Sequence, residues 1–220
     1  MGERERIDRM TLDYQGPRRG ADRAVLLAHG AGTDRNAPAL VAVADALAAV
    51  GIPSLRFDYP YRSGGKRPPD RPPVLDAATR NAAADLARRT GLPPERLVLG
   101  GRSMGGRYCS LVVGAESDPV PALGVLLLGY PLQAMGKPEK RRDDHFKRLR
   151  CPVLFVSGTR DSLAPRQLLT RSARKVKGPV ALHWLDTADH GFRPLKRSGR
   201  TTESVLGDVA ETCVTWVGAL

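Results

Sequence analysis

Cysteine is nearly absent. The 220-residue chain holds three, Cys109, Cys151 and Cys213, and no two of them share a C-x-x-C spacing. That excludes a disulfide-stapled scaffold, a zinc ribbon and a thioredoxin-type redox pair, and the odd count suits a reducing compartment. Long apolar runs are missing too: stretches such as Val125–Leu128 fall far short of the ~20 residues a membrane-spanning helix needs, and Met1–Arg6 has no apolar stretch of the secretory kind. Acidic residues are scarce, 23 against 35 basic, for a net charge of +12. Such an excess attracts polyanions, yet the basic clusters Lys137–Arg142, Lys147–Arg150, Arg171–Lys177 and Arg193–Arg200 carry no interleaved aromatic side chains to stack on bases. No helix-turn-helix, zinc-finger or RNP-like pattern is present either. The expectation is a cytoplasmic protein with an arginine-rich solvated surface, no specific nucleic-acid partner and no membrane partner.

What is present reads as a globular chain. Its 41% hydrophobic and 26% charged residues are ordinary proportions, and a chain this long buries about 70% of its unfolded surface, enough for a core without staples. One domain spanning residues 1–220 is expected, with monomer and homodimer both open.

Apolar runs alternate with helical patterns along the chain. Arg23–Ala28, Ile52–Phe57, Leu97–Leu99, Gly124–Leu128, Val153–Val156 and Val180–Leu185 read as buried strands. Pro38–Val50 and Asp76–Thr90 read as helices closed by Gly51 and Gly91. Further helices are expected after Ser103 to about Gly114, at Arg166–Val176 and at Thr202–Leu220. Tyr59–Pro73, crowded with Pro, Gly and Arg, reads as a loop, and Pro131–Arg150 as a small lid or exposed arm. Unbroken apolar strands alternating with helices predict an α/β fold: a three-layer sandwich around a mostly parallel sheet.

Gly101-Arg102-Ser103-Met104-Gly105 matches G-x-S-x-G directly after a predicted strand and at the start of a predicted helix. That context fits a strand-to-helix turn so sharp that the serine hydroxyl stands above the sheet, with glycines where any side chain would collide. The following helix would aim its N-terminal N–H groups and positive dipole end at a developing oxyanion. A serine hydroxyl needs a base to take its proton. Of four histidines, His190 is best placed, in a loop after the sixth strand, since the carboxyl ends of parallel strands are where an open α/β sheet collects ligands. His183 falls inside a strand, His145 in the basic arm, and His29 is expected to orient its own loop by hydrogen bonding. The carboxylate that orients the base is expected to be Asp161, after the fifth strand; Asp186 and Asp189 are rivals lying close to His190 in sequence. The order Ser103, Asp161, His190 is the one an α/β-hydrolase triad follows. The N–H groups of Ala31 and Met104 are the expected oxyanion hole. A nucleotide loop at Gly30–Arg35 is disfavoured because G-x-G-x-x-G and a Walker lysine are both lacking.

With those residues in view, the chain resembles the α/β-hydrolase superfamily over nearly its whole length. Within it, the chain is similar to a compact group akin to dienelactone hydrolases and to the hydrolase-like domains of the testis-expressed protein 30 and NSL-complex subunit 3 type. The likeness is carried by Ala28–Gly32, Phe57–Tyr61 with Gly65–Asp70, Gly101–Arg107, Leu128–Leu132, Gly136–Pro138, Gly158–Asp161 and Asp189–Phe192. Dienelactone hydrolases typically use a cysteine nucleophile where Ser103 stands, so the resemblance implies a general ester or thioester hydrolase, needing no cofactor and no metal, that acts on a small-molecule acyl substrate. It also implies that Arg67 and the Gly65–Asp70 loop lie beside the active site; Gly30, Gly32 and Arg102 are expected to bind substrate as well, and Arg102 and Arg107, flanking the serine, suit a carboxylate- or phosphate-bearing acyl group. The other readings to weigh are a non-catalytic interaction module and an acyltransferase or peptidase using the same three groups.

Overall fold

A computed structural model of the chain describes Glu5, Ile7, residues 10–134 and residues 136–220. Most of the N-terminal stretch and Met135 thus lie outside the described residues, as do the side chains of Lys137 and Pro138. Among the described residues nine strands form two sheets. The main sheet holds β1 (Leu12–Gln15), β2 (Ala24–Ala28), β3 (Ser54–Phe57), β4 (Leu97–Arg102), β5 (Gly124–Leu128), β8 (Val153–Gly158) and β9 (Val180–Leu185), in the order β1-β3-β2-β4-β5-β8-β9. All neighbours run parallel except β1, which pairs antiparallel with β3. The helices are α1 (Pro38–Ala49), a single turn α2 (Pro60–Ser63), α3 (Pro72–Thr90), α4 (Met104–Val113), α5 (Arg166–Ala173) and α6 (Thr202–Gly218).

Alternation along the buried strands builds the two outer layers, because successive side chains of a strand point to opposite faces. On one face Val25, Leu27, Val98 and Leu126 pack against Leu40, Val43 and Leu47 of α1 and Val205, Val209 and Cys213 of α6. On the other, Leu26, Leu55, Phe57 and Leu99 pack against Leu75, Ala78, Ala82 and Leu86 of α3 and Tyr108, Cys109 and Val112 of α4. These strands are fully buried, which is why they appear as unbroken apolar runs. Among the described residues no helix is long and apolar enough to cross a membrane.

Four local expectations need correction. The edge strand β1 was not legible in the sequence: it is half-buried and half polar, with Asp13 on one face ion-paired to Arg56 at 2.7 Å and Leu12 and Tyr14 on the other packed against the α3–α4 layer. The predicted loop Tyr59–Pro73 contains the turn α2 and the first residues of α3. Proline suits the opening positions of a helix, where its missing N–H costs nothing. Helix α5 stops at Ala173, short of Val176. The segment 131–150 is not an exposed arm: β6 (Gln133–Ala134) and β7 (Lys137–Arg141) make a small antiparallel pair, and the turn after it buries Phe146 and Leu149 against Tyr130 and Phe155.

The chain moves to opposite sides of β2, first to β3 and then to β4, so the loops after β2 and β4 diverge at a topological switch point, where open α/β sheets form their clefts. The two strands approach closely there. A Cβ on Gly101 would lie 2.1 Å from the Ala28 carbonyl oxygen, and one on Gly105 would lie 2.2 Å from the same atom. Gly105→Ala must therefore push β2 and α4 apart. Such overpacking costs about 3 kcal/mol or more, and at roughly 2–4 °C per kcal/mol for this size it should lower the melting temperature by about 6 °C or more. Thermal unfolding followed by circular dichroism checks this, and an unchanged melting temperature contradicts the packing described.

Candidate active site

Ser103 sits between β4 and α4 with φ 50° and ψ −112°, a conformation L-residues avoid. Holding it there costs on the order of 1–3 kcal/mol, supplied by the neighbours: its N–H donates to Leu128 O at 2.9 Å and its carbonyl accepts the Arg107 N–H at 3.0 Å. The strained turn lifts Oγ off the sheet. His190 Nε2 lies 3.1 Å from Ser103 Oγ, and His190 Nδ1 lies 2.8 Å from Asp161 Oδ2. A carboxylate oxygen can only accept here, so Nδ1 carries the proton and Nε2 is left to accept from the serine hydroxyl. Asp161 is closed to solvent, and its other oxygen accepts the Leu163 N–H at 2.8 Å. The three residues named from sequence thus meet in one chain of hydrogen bonds at the carboxyl edge of the sheet.

The rival carboxylates do other work. Asp189 Oδ1 accepts the N–H groups of Gly191 and Arg193 at 2.8 and 2.9 Å, shaping the turn that carries His190. Asp186 faces the Thr159 hydroxyl. The remaining histidines are accounted for as well. His29 is buried, its Nδ1 donating to Gly30 O at 2.7 Å and its Nε2 accepting the Tyr59 N–H at 3.1 Å, so both nitrogens orient the loop after β2. Burial holds its pKa below the usual histidine value. His183 is half-buried within β9. His145 is buried against Ser110, Nε2 to Oγ 2.8 Å, and the Ser110 hydroxyl donates to Arg107 O at 2.8 Å. This second Ser–His contact ties the 131–150 segment to α4 and is closed to solvent. Burial, with the charges of Arg107 and Arg148, pushes His145 down to about 4.

Ser103, His190, Ala31 and Met104 line one cavity of about 810 Å³. Met104 opens α4, so its N–H has no acceptor within the helix, and Tyr61 Oη donates to Ala31 O at 2.8 Å, fixing the plane of that loop. Gly30 lies against the nucleophile turn, and a Cβ there would meet Ser103 Cβ and Arg102 O at 3.6 Å; Gly32 opens onto free space in the same wall.

Two of the expected substrate contacts fall elsewhere. Arg67 is exposed and outside the lining; its loop reaches the cavity through Pro69 and Asp70. Arg102 lines the cavity, but its guanidinium is engaged: it donates to the carbonyl oxygen of His190 and stacks 4.6 Å over the ring of buried Phe192. Burial pushes its pKa down to about 10. It anchors the His190 turn to the nucleophile strand and is not a free anion-binding group. Tyr61 and Arg142, in contrast, are placed at the site without having been singled out. Tyr61 follows the carboxyl end of β3, a position that signals a site residue. Arg142 ends a basic run that reads as solvated surface, and nothing local distinguishes it.

Two expectations follow. Ser103→Gly relieves the backbone strain that Ser103→Ala retains, so the glycine variant should melt about 2 °C or more above the alanine variant, after allowing for glycine's larger unfolded-state entropy. Equal melting temperatures would contradict the strained turn. His145, with its folded pKa depressed, leaves the unfolded state binding more protons between about pH 6.5 and 4. Stability should therefore fall as pH drops through that window, by at most roughly 3 kcal/mol for this group. Urea unfolding of wild type and His145→Gln at pH 7 and 4.5 tests it; the variant should lose less on acidification.

Comparison with known proteins bears on the family and the fold. The profile of the alpha/beta hydrolase domain matches residues 21–218. Among solved structures, an alpha-beta serine hydrolase homologue from Coxiella burnetii superposes with a TM-score of 0.72 at 16% identity, covering 94% of this chain and 90% of that one. Est1E from Butyrivibrio proteoclasticus, in a structure with ferulic acid bound, gives 0.70 at 18% identity, over 95% and 96% of the two chains. Dienelactone hydrolase from Anabaena variabilis gives 0.66 at 19%, over 92% and 89%. A glycine-framed, strained serine at the switch point of a mostly parallel sheet and a match over nearly the whole chain lead to one conclusion: this chain belongs to the alpha/beta hydrolase domain family.

Proposed function

We propose that this protein is a serine esterase, acting on carboxylic esters or thioesters of small acyl groups through Ser103, His190 and Asp161. The observation that carries the reading is the unbroken hydrogen-bonded chain from Ser103 Oγ through His190 to a buried Asp161, facing an 810 Å³ cavity. Ser103 Oγ attacks the carbonyl carbon while His190 Nε2 takes its proton. The carbonyl oxygen becomes an oxyanion, and the N–H groups of Ala31 and Met104, together with the α4 dipole, stabilise it. On collapse the bond to the leaving oxygen or sulfur breaks, and His190 returns the proton to that atom. Water then attacks the acyl-serine, again losing its proton to His190; the bond from Ser103 Oγ to the acyl carbon breaks, His190 returns the proton to Oγ, and the carboxylic acid departs. Asp161 holds the imidazole in the tautomer each step requires and stabilises the imidazolium.

The reading has a direct test. A fluorophosphonate probe should label the wild-type protein at Ser103, and Ser103→Ala should abolish both labelling and p-nitrophenyl acetate turnover. Asp161→Asn should lower kcat by about 10³–10⁴-fold, because the imidazole then rests in the wrong tautomer. Labelling of the alanine variant at wild-type level would refute the assignment.

A further inference from the structure

The cavity is electrostatically lopsided. Among its described lining residues are four arginines, Arg102, Arg107, Arg142 and Arg193, against one aspartate, Asp70. Arg102 is occupied by the His190 turn. Arg193, in the same turn, is exposed. Arg107 and Arg142 differ from both. Each is only partly exposed, and among the described residues neither forms an ion pair with a carboxylate, whereas Arg148 and Arg62 do. Arg107 Nε is buried with no hydrogen-bond partner. The two charges feel each other: burial first, and then the Arg107 charge, holds Arg142 below the usual arginine range.

Two like charges left unpaired beside one cavity destabilise the empty protein and stabilise a complex with an anion between them. Their position relative to the nucleophile fixes what that anion belongs to. Arg107 stands one helical turn after Ser103 on α4, with its N–H bonded to the Ser103 carbonyl. Side chains on a helix lean toward its N-terminus, so the Arg107 stem leans back toward Ser103 Oγ, while its guanidinium stacks 5.4 Å from the centre of the Tyr108 ring. Arg107 thus stands about one helical turn, roughly 5 Å of rise, from the start of α4, and it lines the same cavity as Ser103, so an anion it receives is within a short acyl chain's reach of the serine hydroxyl.

From this we infer that the preferred substrate is an ester whose short acyl group carries a terminal oxyanion, a carboxylate or a phosphate, received by Arg107 and Arg142. Planar guanidinium forks suit either group. The inference rests on the serine esterase reading and gives it a substrate class. It separates the roles of the arginines around the nucleophile: Arg102 positions the base, and Arg107 and Arg142 select the acyl group.

The test compares the mono-p-nitrophenyl ester of glutaric acid with p-nitrophenyl valerate, which have five-carbon acyl chains with and without the terminal charge. Wild-type kcat/KM should be higher for the glutarate monoester. Arg107→Gln and Arg142→Gln should each lower the glutarate-to-valerate ratio about 10-fold or more, the scale of a lost charged hydrogen bond. Arg142, which follows β7 and lies outside the helices packed on the sheet, keeps the test available should Arg107→Gln fail to fold. Competition by free glutarate and by inorganic phosphate against valerate hydrolysis tells which oxyanion is preferred, and inhibition by neither overturns the inference. So does a wild-type preference for valerate, or variants that slow both esters in parallel. A protein that turns over neither ester and takes no fluorophosphonate label instead fails the underlying esterase reading.

Discussion

The constraint on which the site depends is the close approach of the Ala28 carbonyl to the backbone on either side of Ser103. With no room for a Cβ at Gly101 or Gly105, β4 can turn into α4 directly against the end of β2, and the turn forces Ser103 to a positive φ. Three consequences follow from that one approach. The hydroxyl stands above the sheet instead of within it. The first residue of α4, Met104, lines the same cavity as the serine. The loop after β2, with Gly30 and Ala31, becomes the opposite wall of the same space. Backbone geometry, more than any side chain, makes the site.

The base is held by a different kind of interaction. His190 lies on a loop after β9, and loops are mobile unless tied down. Asp189 folds the loop on itself, Asp161 grips the imidazole from a buried position, and Arg102 reaches from the nucleophile strand to the His190 carbonyl and the Phe192 ring. Ser103 and His190 are therefore coupled through a residue adjacent to the serine in sequence. A buried guanidinium costs free energy, and its hydrogen bond and ring contact offset part of that cost.

Much of this was legible in the sequence, and the physical reasons for what was legible and what was not are specific. Strands β2, β4, β5 and β8 are buried on both faces and so appear as apolar runs, and the glycine-framed serine after Leu97–Leu99 carries its own geometric requirement. Asp161 and His190 were readable because both follow strands at the carboxyl edge. Strand β1 was not, since an edge strand that pairs Asp13 with Arg56 has no apolar run to display. The prolines near residue 72 looked like breakers although two of them open α3, because composition does not say whether a proline sits first in a helix or within it. The role of Arg102 was misjudged for a related reason. An arginine beside a nucleophile looks available to substrate until the position of the residue-190 carbonyl is known, and that contact spans 88 positions of sequence.

The central claim is geometric: a glycine-permitted turn brings Ser103 Oγ into bonding reach of His190, in a cavity that Ala31 and Met104 also line, and we propose that their N–H groups receive the oxyanion. A crystal structure of the protein after reaction with a fluorophosphonate tests it most directly. The expected result is phosphorus bonded to Ser103 Oγ, with the phosphoryl oxygen about 2.7–3.1 Å from both N–H groups. An adduct on another residue, or a phosphoryl oxygen turned away from both donors, would contradict the account.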